Sequence, residues 1–470
     1  MVNRKKYLSC TSAASLALTA CGCIGVEKTD DLCASSKEGL SDRIQIPKTE
    51  EEWSKAGGYA YYHYQQLGRD VMPIGAWVAP PSEWGSYTTN QITKNNYRVV
   101  AESGLNSIYA LYENAETCLQ RILDALDYCE EFGLVYLARD NRILEAGQKP
   151  GWMERFAIYQ SKSAYGGNLV VDEPGTALFD ELATLRKTWT TCERTKGKLM
   201  YVNLLPTYAT DNQLINGVAG GERTGSLTYT EYLRAYVETV NPQILSFDFY
   251  PFNGLHADYF EKGYFKQLHI IKKCAANAGI PFWTFVQAGY FQKGNLRTMP
   301  RGEFFWQVNT ALAYGAKGIQ YFCYWSPYEF GHDGCALIGM DGQKTYLYEY
   351  AVQVNKQIAA VDDVLMKSAN VGVIQVGDSP DEIPEEDKLL AFRELKSAKG
   401  LDAIIGCFDY SGKTALYVAS NNYKTGGDVV LHFSSSVNVR MIQDGRTTNK
   451  INDTLTLSLT AGEGVLIVLE

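Results

Sequence analysis

From residue 70 to 365 one hydrophobic pattern recurs: an amphipathic helical stretch, a Gly near its end, then a short apolar run that passes into polar or aromatic residues. The apolar runs cover 71–79, 105–112, 133–139, 168–173, 198–205, 243–250, 280–287 and 317–325. Between them, apolar side chains repeat at helical spacing, as in Leu119, Ile122, Leu126 and Cys129 before Gly133, or Leu182, Leu185, Trp189 and Cys192 before Gly197. Strands that are almost continuously apolar must be buried on both faces, which requires a parallel sheet covered by helices. Eight of them in one stretch predict a closed (β/α)8 barrel over 53–365. No GxGxxG follows the first strand, which speaks against a dinucleotide-binding fold.

Beyond residue 366 the helical period gives way to alternation, in 370–376, 402–408, 414–420, 428–433, 437–442, 454–459 and 464–469. This predicts a small antiparallel β-sandwich over 366–470, either a structural appendage or a glycan-binding module.

The N-terminus has a different pattern. Arg4, Lys5 and Lys6 precede an apolar stretch to Ala20 that is short for a membrane span, and Leu18-Thr19-Ala20-Cys21 follows. Residues 1–20 resemble a bacterial lipoprotein signal peptide, with Cys21 as the lipid anchor; an ordinary signal peptide containing a Cys is the alternative. Residues 21–52 are polar and predict a tether. The expected location is the exported, membrane-anchored face of the cell envelope, with membrane contact only through that lipid.

Composition narrows the ligand. The 470 residues are 46% hydrophobic and 21% charged with a net charge of -9, and no basic run lies beyond the leader, so a nucleic-acid partner is not expected. Isolated His residues and singly scattered Cys residues offer no metal-ligand spacing, so neither a metal nor another cofactor is expected.

A barrel presents its chemistry at the C-terminal ends of its strands. Those ends supply Trp77, Tyr112 and Glu113, Arg139 and Asp140, Asp172 and Glu173, Asn203, Asp248 and Tyr250, Gln287, Tyr324 and Trp325. The sharpest pattern is Val171-Asp172-Glu173-Pro174 at the fourth strand end. It is similar to the Asn-Glu-Pro of the large (β/α)8 glycoside hydrolase superfamily, clan A, and the resemblance implies a general acid/base at Glu173. A glycosidic oxygen leaves poorly as an alkoxide, so a carboxylic acid must protonate it. A Glu there can also cap the following helix. Phe247-Asp248-Phe249-Tyr250-Pro251 resembles the Tyr-Pro strand end of such families, and Tyr324-Trp325 their strand-eight aromatic.

The departure is strand seven, where the clan keeps its nucleophilic Glu and this chain has Gln287. A neutral amide cannot attack, so Asp248 is expected as the second carboxylate, with Asp140 and Glu113 in reserve. Asp172 is expected on the opposite strand face from Glu173. Glu113, Asp140, Asp172 and Gln287 thus join Trp77, Asn203, Tyr250, Tyr324 and Trp325 as expected substrate contacts. Arg139, Arg297 and Arg301 can clamp an acidic sugar or serve as ion-pair partners. The expected function is an exported glycoside hydrolase acting on an oligo- or polysaccharide. The alternative is a catalytically silent carbohydrate-binding barrel.

Overall fold

Eight short parallel strands run in the order β1 to β8: Ile74–Ala76, Ser107–Tyr109, Val135–Arg139, Tyr165–Asp172, Leu199–Leu204, Leu245–Phe247, Phe282–Gln287 and Ile319–Phe322. Each pairs with its successor from β2 onward, and β8 pairs with β1. Between β1 and β2 a parallel bridge joins Trp77 to Tyr109, with the Asn106 N–H given to Ile74 O, and this closes the ring. The structure, a computed structural model, describes residues 71–83, 89–256, 258–290, 297–327 and 336–470. The expected signal peptide, Cys21, the tether and residues 53–70 lie outside them.

All eight observed strands fall within the apolar runs of the sequence, save that β4 begins three residues earlier, at Tyr165. The helices that cover them are α1 (Lys94–Glu102), α2 (Ala115–Phe132), α3 (Ala157–Gln160), α4 (Phe179–Thr191), α5 (Asp211–Asn216), α6 (Tyr229–Val240), α7 (Tyr264–Ala278), α8 (Arg301–Ala313) and α9 (Tyr346–Leu365). Local chemistry sets their ends. Thr228 caps α6 reciprocally with Glu231, and Gly133 ends α2 at φ 67°, a left-handed conformation that only glycine adopts without cost.

The second sheet begins with β9 (Ala369–Val376), followed by β10 (Leu395–Gly400), β11 (Ala403–Tyr410), β12 (Lys413–Ser420), β13 (Gly427–Gln443), β14 (Arg446–Leu459) and β15 (Gly464–Leu469). All pairings are antiparallel. The runs at 428–433 and 437–442 are one strand, β13, whose ladder to β14 is interrupted between His432 and Val437. Its first half also pairs β10 and its second β15, which wraps the sheet around a core of its own. Strand β10 gives no alternating signal because it is mostly exposed and polar.

The sandwich is docked on α8. Every residue of that helix after Arg301 is buried, because the barrel covers one side and the sandwich the other. Trp306 Nε1 donates to Asn421 Oδ1 at 2.9 Å, Asn309 Nδ2 to Gly462 O at 2.8 Å, and Tyr417 OH to Asn309 Oδ1 at 2.7 Å. A second clamp holds Asp387 between His269 Nδ1 at 2.8 Å and Lys272 Nζ at 2.6 Å, with its carboxyl held below the usual range by both.

Candidate active site

Strands β4, β5 and β6 bring one cluster of side chains together at the barrel mouth. Asn203 stands between two carboxylates: its Nδ2 donates to Asp172 Oδ1 at 3.2 Å and to Asp248 Oδ1 at 3.0 Å. Glu173 hydrogen-bonds Asp248 directly. That contact opposes the upward push of burial on Asp248, and the two carboxyl groups share one proton between them. Three carboxyl groups and one amide thus occupy the ends of adjacent strands.

The backbone explains how two consecutive residues reach one site. In a continued strand Asp172 and Glu173 would point to opposite faces, as the sequence pattern leads one to expect. The strand ends at Asp172, after a register irregularity between Leu169 and Val171, and Glu173 takes φ 45°. A left-handed non-glycine residue costs on the order of 1 kcal/mol and persists only where its surroundings hold it. Here the Glu173 N–H donates to Asn203 O at 2.9 Å, Val218 N–H to Glu173 O at 3.4 Å, and Tyr232 OH to Pro174 O at 2.7 Å. The turn also packs tightly at Gly175, where a Cβ would stand 2.3 Å from Gly217 N.

Burial governs the charges. Loss of hydration pushes Asp172 up to about 6, against hydrogen bonding by Asn203 and the charge of Arg139. Burial also pushes Asp248 up to about 7, the nearby Asp172 charge pushes it the same way, and the hydrogen bonds from Asn203 and Glu173 oppose both. Both groups therefore exchange protons near neutrality, in the range that acid/base chemistry can use.

Aromatic rings surround the cluster. Tyr250 and Tyr208 both feel the charges of Asp248 and Glu173. Tyr250 is half-buried and stands 6.0 Å from Phe322, while Tyr208 is exposed and packs on Phe249 at 5.1 Å. Sequence reasoning missed Tyr208, which lies in the loop after β5, although the Leu205-Pro206-Thr207-Tyr208 exit carried an aromatic.

Other expected contacts have bonds or packing of their own. Trp77 is enclosed below the mouth, edge-on to Phe285 at 5.2 Å, with Nε1 bonded to Gln320 Oε1 at 3.3 Å, and offers no open face to a sugar. Tyr324 is buried where Tyr348 and Glu102 influence it, and the fully enclosed Trp325 packs against Gly342; half-buried Phe322 is the strand-eight aromatic beside Tyr250. Strand β8 ends at Phe322, so Tyr324 and Trp325 lie past the strand end and leave the mouth with the chain.

Glu113 accepts the Ser82 N–H at 2.7 Å, near Tyr97 and Tyr136, and burial pushes it up to about 7. Asp140 is committed to Arg142, at 2.7 Å and 2.9 Å. Gln287 accepts the Phe252 N–H at 3.1 Å and so anchors the loop after β6. The bonds of all three lead away from Asp172, Asn203 and Asp248. The arginines are likewise engaged: Arg139 with Leu111 O and Asn141, Arg297 with Glu303 and two backbone carbonyls, and Arg301 with Gln353 and Thr460.

No known family model matches the chain, and no curated protein matches it. Among solved structures the chain is similar to a GH27 β-L-arabinopyranosidase from Geobacillus stearothermophilus, at 11% identity over 87% of this chain and 98% of that one, with a TM-score of 0.46. It is similar to an exo-β-1,4-mannosidase from Opitutaceae bacterium strain TAV5, at 17% identity and TM-score 0.40 over 64% of this chain. A β-galactosidase from the psychrophilic Marinomonas ef1 gives 12% identity and TM-score 0.42 over 65%. The chain spans 61% and 63% of the length of the last two. These three are glycoside hydrolases by name, and their likeness leaves the chemistry of this site to its own residues.

Proposed function

We propose that this chain is an exported, lipid-anchored glycoside hydrolase, with Glu173 as general acid and Asp248 as the second carboxylate. The observation that carries the proposal is the hydrogen bond between the carboxyl groups of Glu173 and Asp248 at the mouth of a (β/α)8 barrel. A glycosidic oxygen that displaces Asp248 from Glu173 receives the shared proton as the bond to the anomeric carbon breaks. Asp248, the carboxylate of the pair when Glu173 holds the proton, serves the developing positive charge, by attack or by activating water. Asn203 keeps it oriented. Tyr208 and Tyr250 provide faces for the C–H surface of a sugar ring.

A second assignment of roles is favoured by the spacing. Acid and nucleophile of a retaining enzyme stand about 5–5.5 Å apart and those of an inverting enzyme about 6.5–9.5 Å. The direct contact of Glu173 with Asp248 is shorter than either. Asp172 and Asp248 are held by one atom, Asn203 Nδ2, at 3.2 Å and 3.0 Å, an arrangement compatible with the closer spacing of retention, with Asp172 attacking and Asp248 protonating. Incubation with an activated 2-fluoroglycoside followed by peptide mass analysis separates the two, since the label attaches to the nucleophile. A labelled Asp248 supports the first assignment and a labelled Asp172 the second. Turnover of glycans with no essential role for any of the three would remove both.

Export and anchoring rest on the leader sequence and Cys21, and the carbohydrate class on the site. Because the arginines are bonded to other groups, the proposed substrate is a neutral or amine-bearing glycan rather than a uronate.

A further inference from the structure

Beneath the carboxyl cluster a row of polar side chains crosses the barrel interior. Trp77 Nε1 donates to Gln320 Oε1 at 3.3 Å, Gln320 Nε2 to Ser246 Oγ at 3.1 Å, and Ser246 Oγ to Asn203 Oδ1 at 3.2 Å. Asn203 Nδ2 completes the row at Asp172 and Asp248. Trp77 is 2% exposed, and Gln320 and Ser246 are fully buried.

The direction of this chain is not arbitrary. An indole N–H can only donate, so the group it meets must be an acceptor, here the Gln320 oxygen. The Gln320 amide then turns its NH2 to Ser246. Tyr201 OH lies 2.7 Å from Ser246 Oγ and 2.9 Å from Gln320 Oε1, and gives its hydrogen to one of these oxygens. With Tyr201 donating to Ser246, the Ser246 hydrogen is left for Asn203 Oδ1 at 3.2 Å. With its oxygen so occupied, Asn203 can show only its NH2 to the mouth. Reversing the Asn203 amide would set an oxygen against two carboxylates and turn its NH2 toward the Ser246 hydroxyl, leaving buried polar groups mismatched.

We infer that Trp77, Gln320 and Ser246 are positioning residues, a one-way hydrogen-bond chain that starts at the donor-only indole and holds the Asn203 amide as a donor to Asp172 and Asp248. The inference deepens the proposed hydrolase reading and rests on it for its importance to turnover, although the orientation of Asn203 exists without turnover. It also gives Trp77, at the end of strand one, a task other than stacking on sugar.

Two readouts keep the failure of this inference apart from failure of the hydrolase reading. The first is the pH dependence of the infrared carboxyl band, which needs no substrate; the second is the acidic limb of kcat/KM. The groups that face the two aspartates are Asn203, Glu173, Arg139, Tyr208, Tyr250 and Tyr201. Neither Ser246→Ala nor Gln320→Met substitutes one of these groups, but each removes a partner of Tyr201, so Tyr201→Phe serves as the control and a shift beyond the one it gives reports the amide donor. Loss of an N–H donor to a carboxylate raises the pH at which it ionises, so both variants are expected to move the carboxyl titration upward by roughly 0.5–1 pH unit. The acidic limb moves with it. A folded Ser246→Ala or Gln320→Met protein with a carboxyl titration unmoved or lowered relative to Tyr201→Phe overturns the inference, and a reduced melting temperature alone counts as such an outcome. If the titration moves but the wild type cleaves no glycan, the positioning chain stands and the hydrolase reading falls.

Discussion

The carboxyl groups of Glu173 and Asp248 meet in a hydrogen bond across the gap between the fourth and sixth strand ends, Glu173 from a left-handed backbone that the sequence pattern does not announce. The contact stores a proton where a leaving group would need it. It also means that substrate must part the two residues before either can act on a glycosidic bond.

If Glu173 protonates the leaving group, its loss should matter in proportion to how poor that group is. Glu173→Gln is expected to lower kcat by about a hundredfold or more on an alkyl or sugar leaving group. On a dinitrophenyl glycoside, which departs without a proton, the loss should shrink to a small factor. Equal losses on both substrates would place Glu173 outside acid catalysis.

The second carboxylate can be found by chemical rescue. Asp248→Asn is expected to abolish turnover nearly as thoroughly as Glu173→Gln, and azide should restore it on an activated substrate, giving a glycosyl azide of inverted configuration if Asp248 is the nucleophile. Rescue of Asp172→Asn with inversion, and of Asp248→Asn with retention, would transfer the roles to the second assignment.

The raised carboxyls also predict how stability depends on pH. Folding lifts Asp172 to about 6 and Asp248 to about 7, mainly by burial. Between about pH 4 and pH 7 the folded chain therefore holds more protons than the unfolded one, and stability falls as pH rises through that window. Asp248→Asn removes most of this effect. Relative to wild type it should be more stable by about 1–2 kcal/mol at pH 8, with the difference fading toward pH 4. Melting curves at both pH values check this, and parallel behaviour of the two proteins would contradict it.

Cys21→Ser tests the leader. The full-length variant, expressed in a bacterium that processes lipoproteins, should leave the membrane fraction, because a single residue carries the lipid. Continued partitioning into membranes would refute the anchor.

Much of the fold was legible because parallel strands buried on both faces leave a nearly continuous apolar trace. Phe282 to Gln287 and Leu199 to Leu204 are readable for that reason. Strand β10 was not, since Lys396, Ser397 and Lys399 face solvent and break the alternation. In the site, Asp172, Glu173, Asn203, Asp248 and Tyr250 were all named from strand ends, and the structure brings them together. What sequence could not give was the residue at which each strand ends. Strand β8 ends at Phe322 and β1 at Ala76, so Tyr324, Trp325 and Trp77 lie past the strand ends, and Phe322 stands beside Tyr250 where a strand-eight aromatic was expected. The reasoning on Asp172 failed for a related cause: the strand rule holds only while the backbone is extended, and Glu173 is where it ceases to be.

The most direct test of the central claim is release of reducing ends from a panel of neutral and amine-bearing glycans by the wild type and by the Glu173→Gln, Asp248→Asn double variant, at matched folding and concentration. The account predicts that wild type cleaves at least one glycan and that the double variant still binds it while releasing no more ends than buffer. Binding by both proteins with no release by either would contradict it and leave a catalytically silent carbohydrate-binding barrel.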